Sequence, residues 1–177
     1  MHPGRSDSRN PPALLRTCSP RRQRYQDDAL QVRRGLLMRD DVRRALAIGP
    51  SSTIEERTID ITTTGRRSGK PRRIEIVFYG IEGSTYLSGV PAPRRRDWLA
   101  NLSADPHFTF HLKHDVVADL PALATVITDE TDRRRLLAPL VDQFNQRRGD
   151  DSEWPRAELD DWVQGSPLAR VDFLDID

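Results

Sequence analysis

The chain has 177 residues, 28 basic against 27 acidic, with 36% hydrophobic, 6% aromatic and 31% charged side chains. That length suits one domain plus a tail, no apolar run approaches the ~18 residues of a membrane span, and a net charge of +1 argues against a nucleic-acid-coating protein. The single cysteine, Cys18, excludes an intrachain disulfide and points to a reducing, cytoplasmic setting.

Residues 1–37 hold eight arginines and three aspartates, a charge of +5, whereas the remaining 140 residues carry −4. The first stretch is rich in Pro, Ser and Arg, with Ala13-Leu14-Leu15 as its longest apolar run. Such a segment buries too little surface to offset its ordering entropy, and three apolar residues make no secretory signal. The expectation is a disordered basic arm over 1–37, either a true tail or a read-through upstream of a start at Met38, and a domain over 38–177. Arginine outnumbers lysine 26 to 2, which reads as genome composition.

Residues 39–48 predict a short helix with acids in its first turn and Gly49-Pro50 as its stop. Arg57–Thr63 alternates Ile59 and Ile61 with polar residues, a half-buried strand. Arg73–Tyr79 and Thr85–Val90 flank Gly80-Ile81-Glu82-Gly83 and read as a hairpin. Arg94–Ser103 suits a helix facing inward with Trp98, Leu99 and Leu102, ended by Asp105-Pro106. Phe108, Phe110 and Leu112 mark another strand. Val116–Asp119 leads to Leu123–Thr128, as one strand or two. Arg133–Phe144 is an amphipathic helix capped by Asp129 or Thr131, followed by a short helix over Leu159–Val163 and a last strand over Leu168–Phe173. Five or six strands in meander order with inserted helices predict an α+β protein built on a closed antiparallel barrel.

The stretch from Thr62 to Arg73 carries the strongest functional signal. Gly65 and Gly69 permit a tight turn and close approach of a ligand, and five cations (Arg66, Arg67, Lys70, Arg72, Arg73) fall within eight positions. Arginine at this density suits a phosphate or carboxylate, although a solvated loop is the alternative. The spacing of a Walker loop is absent.

Thr63-Thr64-Gly65-Arg66-Arg67-Ser68-Gly69-Lys70-Pro71-Arg72, then Ser88, Trp98-Leu99-Ala100-Asn101-Leu102 and Asp105-Pro106, resembles the deazaflavin-dependent nitroreductase and quinone reductase family. The resemblance runs from about Arg57 to Thr128 and implies a split β-barrel related to flavin-binding pyridoxamine phosphate oxidases. It implies reduced coenzyme F-420, an 8-hydroxy-5-deazaflavin, as hydride donor to a quinone-like, nitro or other electron-poor small molecule. It also implies a homodimer. By this resemblance Arg66, Arg67, Ser68, Lys70 and Arg72 hold the coenzyme's phosphate and acidic tail. Arg73, Ile74, Glu75, Ile76 and Val77 run along its ring and ribityl chain, Leu87, Ser88 and Gly89 lie beside the reactive ring, and Trp98 and Asn101 border the pocket. Ser88 is the implied catalytic donor to a substrate oxygen. Three departures stand out: Gly89-Val90 replaces the usual Gly-Gly, Arg73-Ile74-Glu75 lacks the frequent proline, and the substrate-facing tyrosines of some members have no counterparts. FMN, or a flavin carrier without turnover, is the alternative reading.

His107 and His111 share a strand face, but surface histidines explain them better than metal or haem ligands, and no metal is expected. Asp150-Asp151 and Asp160-Asp161 read as solvated acids. Trp154 and Trp162 read as packing residues at the barrel end. Neither a nucleic-acid partner nor a transmembrane segment is expected.

Overall fold

The structure is a computed structural model, and it describes residues 38–92, 96–148 and 155–174. The basic arm, Cys18, Arg94, Arg95, the Asp150-Asp151 pair and Trp154 lie outside the described residues.

Two short helices lead into the sheet: α1 (Asp40–Leu46) and α2 (Ile54–Arg57). α1 has acids in its first turn and arginines in its last, both favourable to the helix dipole, and buries Val42. α2 is only one turn long and is held by a capping box. Thr53 Oγ1 accepts from Glu56 N at 3.2 Å, while the Glu56 carboxylate accepts from Thr53 N at 2.6 Å.

Then come β1 (Thr58–Thr64), β2 (Pro71–Ile81) and β3 (Ser84–Ser88), helix α3 (Asp97–Ala104), and β4 (His107–Lys113) and β5 (Val117–Val126). The long helix α4 (Glu130–Arg148), helix α5 (Leu159–Gly165) and β6 (Leu168–Phe173) complete the chain. Asp129 caps α4, accepting from Asp132 N at 2.9 Å. All strand pairs are antiparallel, and the sheet closes in the order β1-β2-β3-β6-β5-β4. The predicted barrel is therefore present, but its order is two three-strand meanders, β1-β2-β3 and β4-β5-β6, rather than one. After β3 the chain leaves the sheet, and α3, packed on β1 and β5, carries it to β4 on the far side of β1.

The 117–126 segment is one strand despite Pro121. The Pro121 carbonyl points toward β6 and accepts from Leu174 N at 2.8 Å. Its nitrogen points the same way, just beyond the last paired residue, Phe173, so the proline forfeits only the reciprocal bond at the end of the ladder.

Strand alternation divides the apolar residues into two cores. Ile59, Ile61, Phe78, Leu87, Phe110, Leu120, Ala169 and Val171 fill the barrel. The opposite parity supplies Ile81, Tyr86 and Leu168, on which Leu136, Leu137, Leu140 and Val141 of α4 and Trp162 and Val163 of α5 pack as an outer layer. Phe110 is central to the first core, edge-on to Phe78 and to Phe173 with ring centroids 5.2 Å apart in both pairs. Phe110→Ala should cost about 3–5 kcal/mol of stability, from lost burial and the cavity left behind, measured as the shift in a urea unfolding curve.

Candidate functional site

The α4–α5 layer leaves part of β2 uncovered. Between them is a cleft of about 570 Å³, within the size range of small-molecule sites. One wall is β2 from Ile74 to Val77 with Tyr79, another is Ser88, Gly89 and Val90 at the end of β3, and Trp98 of α3 closes one side. Leu140, Gln143, Phe144 and Arg147 of α4, with Trp162 of α5, form the opposite wall.

The glycine loop is a tight turn beside this cleft. Gly65 O accepts from Ser68 N at 3.1 Å and from Gly69 N at 2.7 Å, and Gly65 N donates to Lys70 O at 2.9 Å. A Cβ at Gly65 would meet Ser68 Oγ at 2.8 Å and Lys70 O at 3.1 Å, and Gly69 has a φ of +64°. Both positions therefore require glycine. Arg66 pairs with Asp97, the first residue of α3, at 3.0 Å. The next residue, Trp98, already faces the cleft. Among the described residues, Arg67, Lys70 and Arg72 have no carboxylate partner.

Several expected site residues have other work. Asn101 is buried, accepting from Arg66 N at 3.1 Å and donating to Thr63 Oγ1 at 3.1 Å. It clamps the loop onto α3. Leu87 points into the barrel core rather than the cleft, because it shares the parity of the interior residues. Ser88 lines the cleft but is 1% exposed, and its hydroxyl donates to Pro167 O at 2.8 Å. Its only proton is committed to tying β3 to the start of β6.

Arg73 donates to Asp60 at 2.9 Å on the outer face of β1 and β2, where Lys113 bonds Asp60 at 2.7 Å and also Glu75. The Lys113 bond holds the Asp60 carboxyl below its usual range; burial opposes this and the Arg73 bond adds to it. Glu75 nevertheless borders the cleft, with Ile74, Ile76 and Val77.

The two strand histidines part company. His107 is exposed and bonded to Asp105 at 3.1 Å. His111, expected at the surface, is 7% exposed between Asp119 (Nδ1 to Oδ1, 2.5 Å) and Thr62 (Nε2 to Oγ1, 2.8 Å). Among the described residues, no group of three or more His, Cys, Asp or Glu side chains could hold a metal ion. None of the described helices is long and apolar enough to cross a membrane.

The polar end of the cleft had no sequence signal pointing to it. Arg57, expected to begin a strand, ends α2 instead and is buried, with its guanidinium over the Tyr79 ring at 5.7 Å from the centroid. Burial pushes the Tyr79 hydroxyl above its ordinary value, with Arg57 and Arg147 opposing. The side chains of Tyr79 and Gln143 make no hydrogen bond to the described residues.

A closed six-stranded antiparallel barrel with flanking helices and a cleft along two of its strands is a split-barrel fold. The family model of the F-420H(2)-dependent quinone reductases matches residues 39–150, and the chain belongs to that family. It is thus an oxidoreductase whose cofactor is the deazaflavin coenzyme F-420.

Among solved structures, a conserved hypothetical protein of Mycobacterium tuberculosis is 16% identical, covering 77% of this chain and 81% of its own, with a TM-score of 0.50. An F-420-H2 dependent reductase is 20% identical over 66% of this chain and 94% of its own (TM-score 0.44). The haem storage protein HutZ of Vibrio cholerae is 16% identical over 67% and 82% (TM-score 0.45). At such identities the likeness concerns the fold alone. No curated protein matches the sequence.

Two outcomes follow from the bonding around the loop. Asn101→Ala should free the loop and speed tryptic cleavage at Arg66, Arg67 or Lys70 several-fold, roughly the opening released by losing about 1 kcal/mol of hydrogen bonding, read by limited proteolysis. Asp60→Asn should cost about 1 kcal/mol at pH 7. Because the folded pKa is depressed, that stabilisation is present above the unfolded carboxylate value and is lost as pH falls through the folded one. The unfolding free energies of parent and variant should therefore converge in acid.

Proposed function

We propose that the cleft receives the deazaflavin ring of F-420, that the glycine loop holds its anionic tail, and that a quinone-class acceptor binds beside the ring. The carrying observation is a juxtaposition. An apolar cleft of ligand size meets, through the Arg66–Asp97 pair and Trp98, a loop with three cations lacking carboxylate partners. Such a donor set suits a phosphate and carboxylates, and the apolar walls suit a planar ring.

When bound, reduced F-420 supplies the hydride. The chain itself does the rest. Ile74, Ile76, Trp98 and Phe144 form apolar walls that exclude water from the reacting groups. Ser88 acts as a positioning residue, fixing the β3 wall through Pro167. The donors left for an acceptor oxygen are the Tyr79 hydroxyl and the Gln143 amide, both uncommitted in the cleft.

A homodimer is part of this reading. Ile54 and Val90, 61% and 45% exposed, sit on the cleft lining, and a second copy over them would cover that apolar surface. A cytoplasmic setting is supported by the single cysteine.

The test is a binding titration with F-420 and, separately, with FMN, followed by turnover of menadione with reduced F-420. F-420 should bind at micromolar concentration and more tightly than FMN. Charge reversal in the pair Arg67→Glu and Arg72→Glu should weaken F-420 binding at least tenfold at low salt, roughly one charge-assisted contact, and less at high salt. Unchanged affinity in those variants, or no F-420 binding to the parent, overturns the assignment.

A further inference from the structure

We propose that the end of the cleft farthest from the glycine loop is a second anion subsite, formed by Arg57 and Arg147, which selects acceptors carrying one anionic group such as a carboxylate or sulfonate. The inference deepens the reading of the cleft as the acceptor site and rests on it.

Both arginines line the cleft. Arg57 is only 2% exposed, yet its guanidinium is bonded to neutral groups alone: Nε donates to Ser52 O at 3.1 Å and an Nη donates to Gly49 O. Arg147 donates to Pro50 O at 3.0 Å and to that same Ser52 O at 2.8 Å. Two cations thus share one carbonyl oxygen, and their donor nitrogens are no farther apart than those two bonds allow.

Neither has a carboxylate within ion-pair distance among the described residues. Glu56, the carboxylate that acts on Arg57 through space, is bonded in the capping box to Thr53 N. The Arg57 guanidinium is pushed below its ordinary value by burial first and by the Arg147 charge next. A buried charge is ordinarily paired; Arg57 is met only by carbonyl dipoles and the Tyr79 ring, and with the exposed Arg147 beside it leaves net positive charge facing the cavity. An anion between them would neutralise it. Gln143 lies one turn before Arg147 on α4, the same helix face, with its amide uncommitted. Tyr79 lies beneath Arg57.

This charge is distinct from that of the glycine loop. Arg57 precedes β1 and the loop follows it, so the seven residues Thr58–Thr64 separate them, roughly 20 Å of extended strand. An anionic tail held at the loop leaves the far pair for a different anion. The apolar walls between them suit the ring system of an aromatic acceptor.

Menadione and a sulfonated naphthoquinone, compared as a KM ratio between parent and variant so that their other differences cancel, test this on the full chain with reduced F-420. Arg147→Gln should raise the ratio of KM for the sulfonated quinone to KM for menadione about tenfold, the loss of one charge-assisted contact. Arg147→Lys should retain most of the parent ratio. The preference should shrink in roughly 0.5 M salt, because Arg147 is exposed. An unchanged ratio overturns the subsite, as does a matching fall in F-420 affinity, which would give the pair to the cofactor. If neither quinone turns over, the acceptor reading falls by itself. Quenching of tryptophan fluorescence by the sulfonated quinone then decides the subsite: Arg147-dependent binding upholds it and Arg147-independent binding overturns it.

Discussion

Closure of the sheet, with β4 returned to β1 and β6 joined to β3, constrains everything else in the molecule. Closure removes the open edges through which strands pair with other chains. It also packs the interior with Phe78, Phe110, Leu87 and their neighbours. Where α4 and α5 cover the outer surface incompletely, a concavity forms against β2 and β3.

The same geometry explains how the loop and the cleft cooperate. Asn101 and Arg66 join the glycine turn to the first turns of α3, and α3 also presents Trp98 to the cleft. One short helix thus sets the relative position of the charged and apolar parts. Among the described residues of a body that is acidic on balance, cations without carboxylate partners stand at both ends of the cleft, at the loop and at the far end of β1, with the apolar surface between them.

Much of the fold is legible in local pattern. The alternation of Ile59 and Ile61, and of Phe108, Phe110 and Leu112, gives strands and their inward faces directly, because side-chain direction repeats every two residues. Pairing of β3 with β6 is not legible, since it joins segments some eighty positions apart and depends on three-dimensional closure; the Ser88–Pro167 bond, which occupies the serine proton, belongs to that pairing. The β2, β3 and α3 walls of the cleft follow from a local motif and its family resemblance. The α4 wall does not: Gln143 and Arg147 look like an ordinary solvated helix face until the helix is docked. The Thr53-x-x-Glu56 capping signal was available in the sequence, and it would have moved Arg57 from a strand to a helix end.

Arginine enters this structure as a tie between backbone segments as much as a surface charge. Arg133 is the fullest case, donating to the carbonyls of Val163 at 2.7 Å, Ile127 at 2.9 Å and Ser166 at 2.6 Å, so that one side chain joins α4, the end of β5 and the turn into β6. Arg57 and Arg147 do the same for residues 49–52. A planar fork with five N–H groups can serve several carbonyls at once; a lysine ammonium, with three donors on one atom, cannot span them. Lysine at Arg57 or Arg133 would therefore leave some of these carbonyls without a donor, whereas Arg147 serves both of its carbonyls from one nitrogen. At Arg57 and Arg133 the choice of arginine thus follows from the bonding, whatever sets its 26-to-2 excess over the chain as a whole.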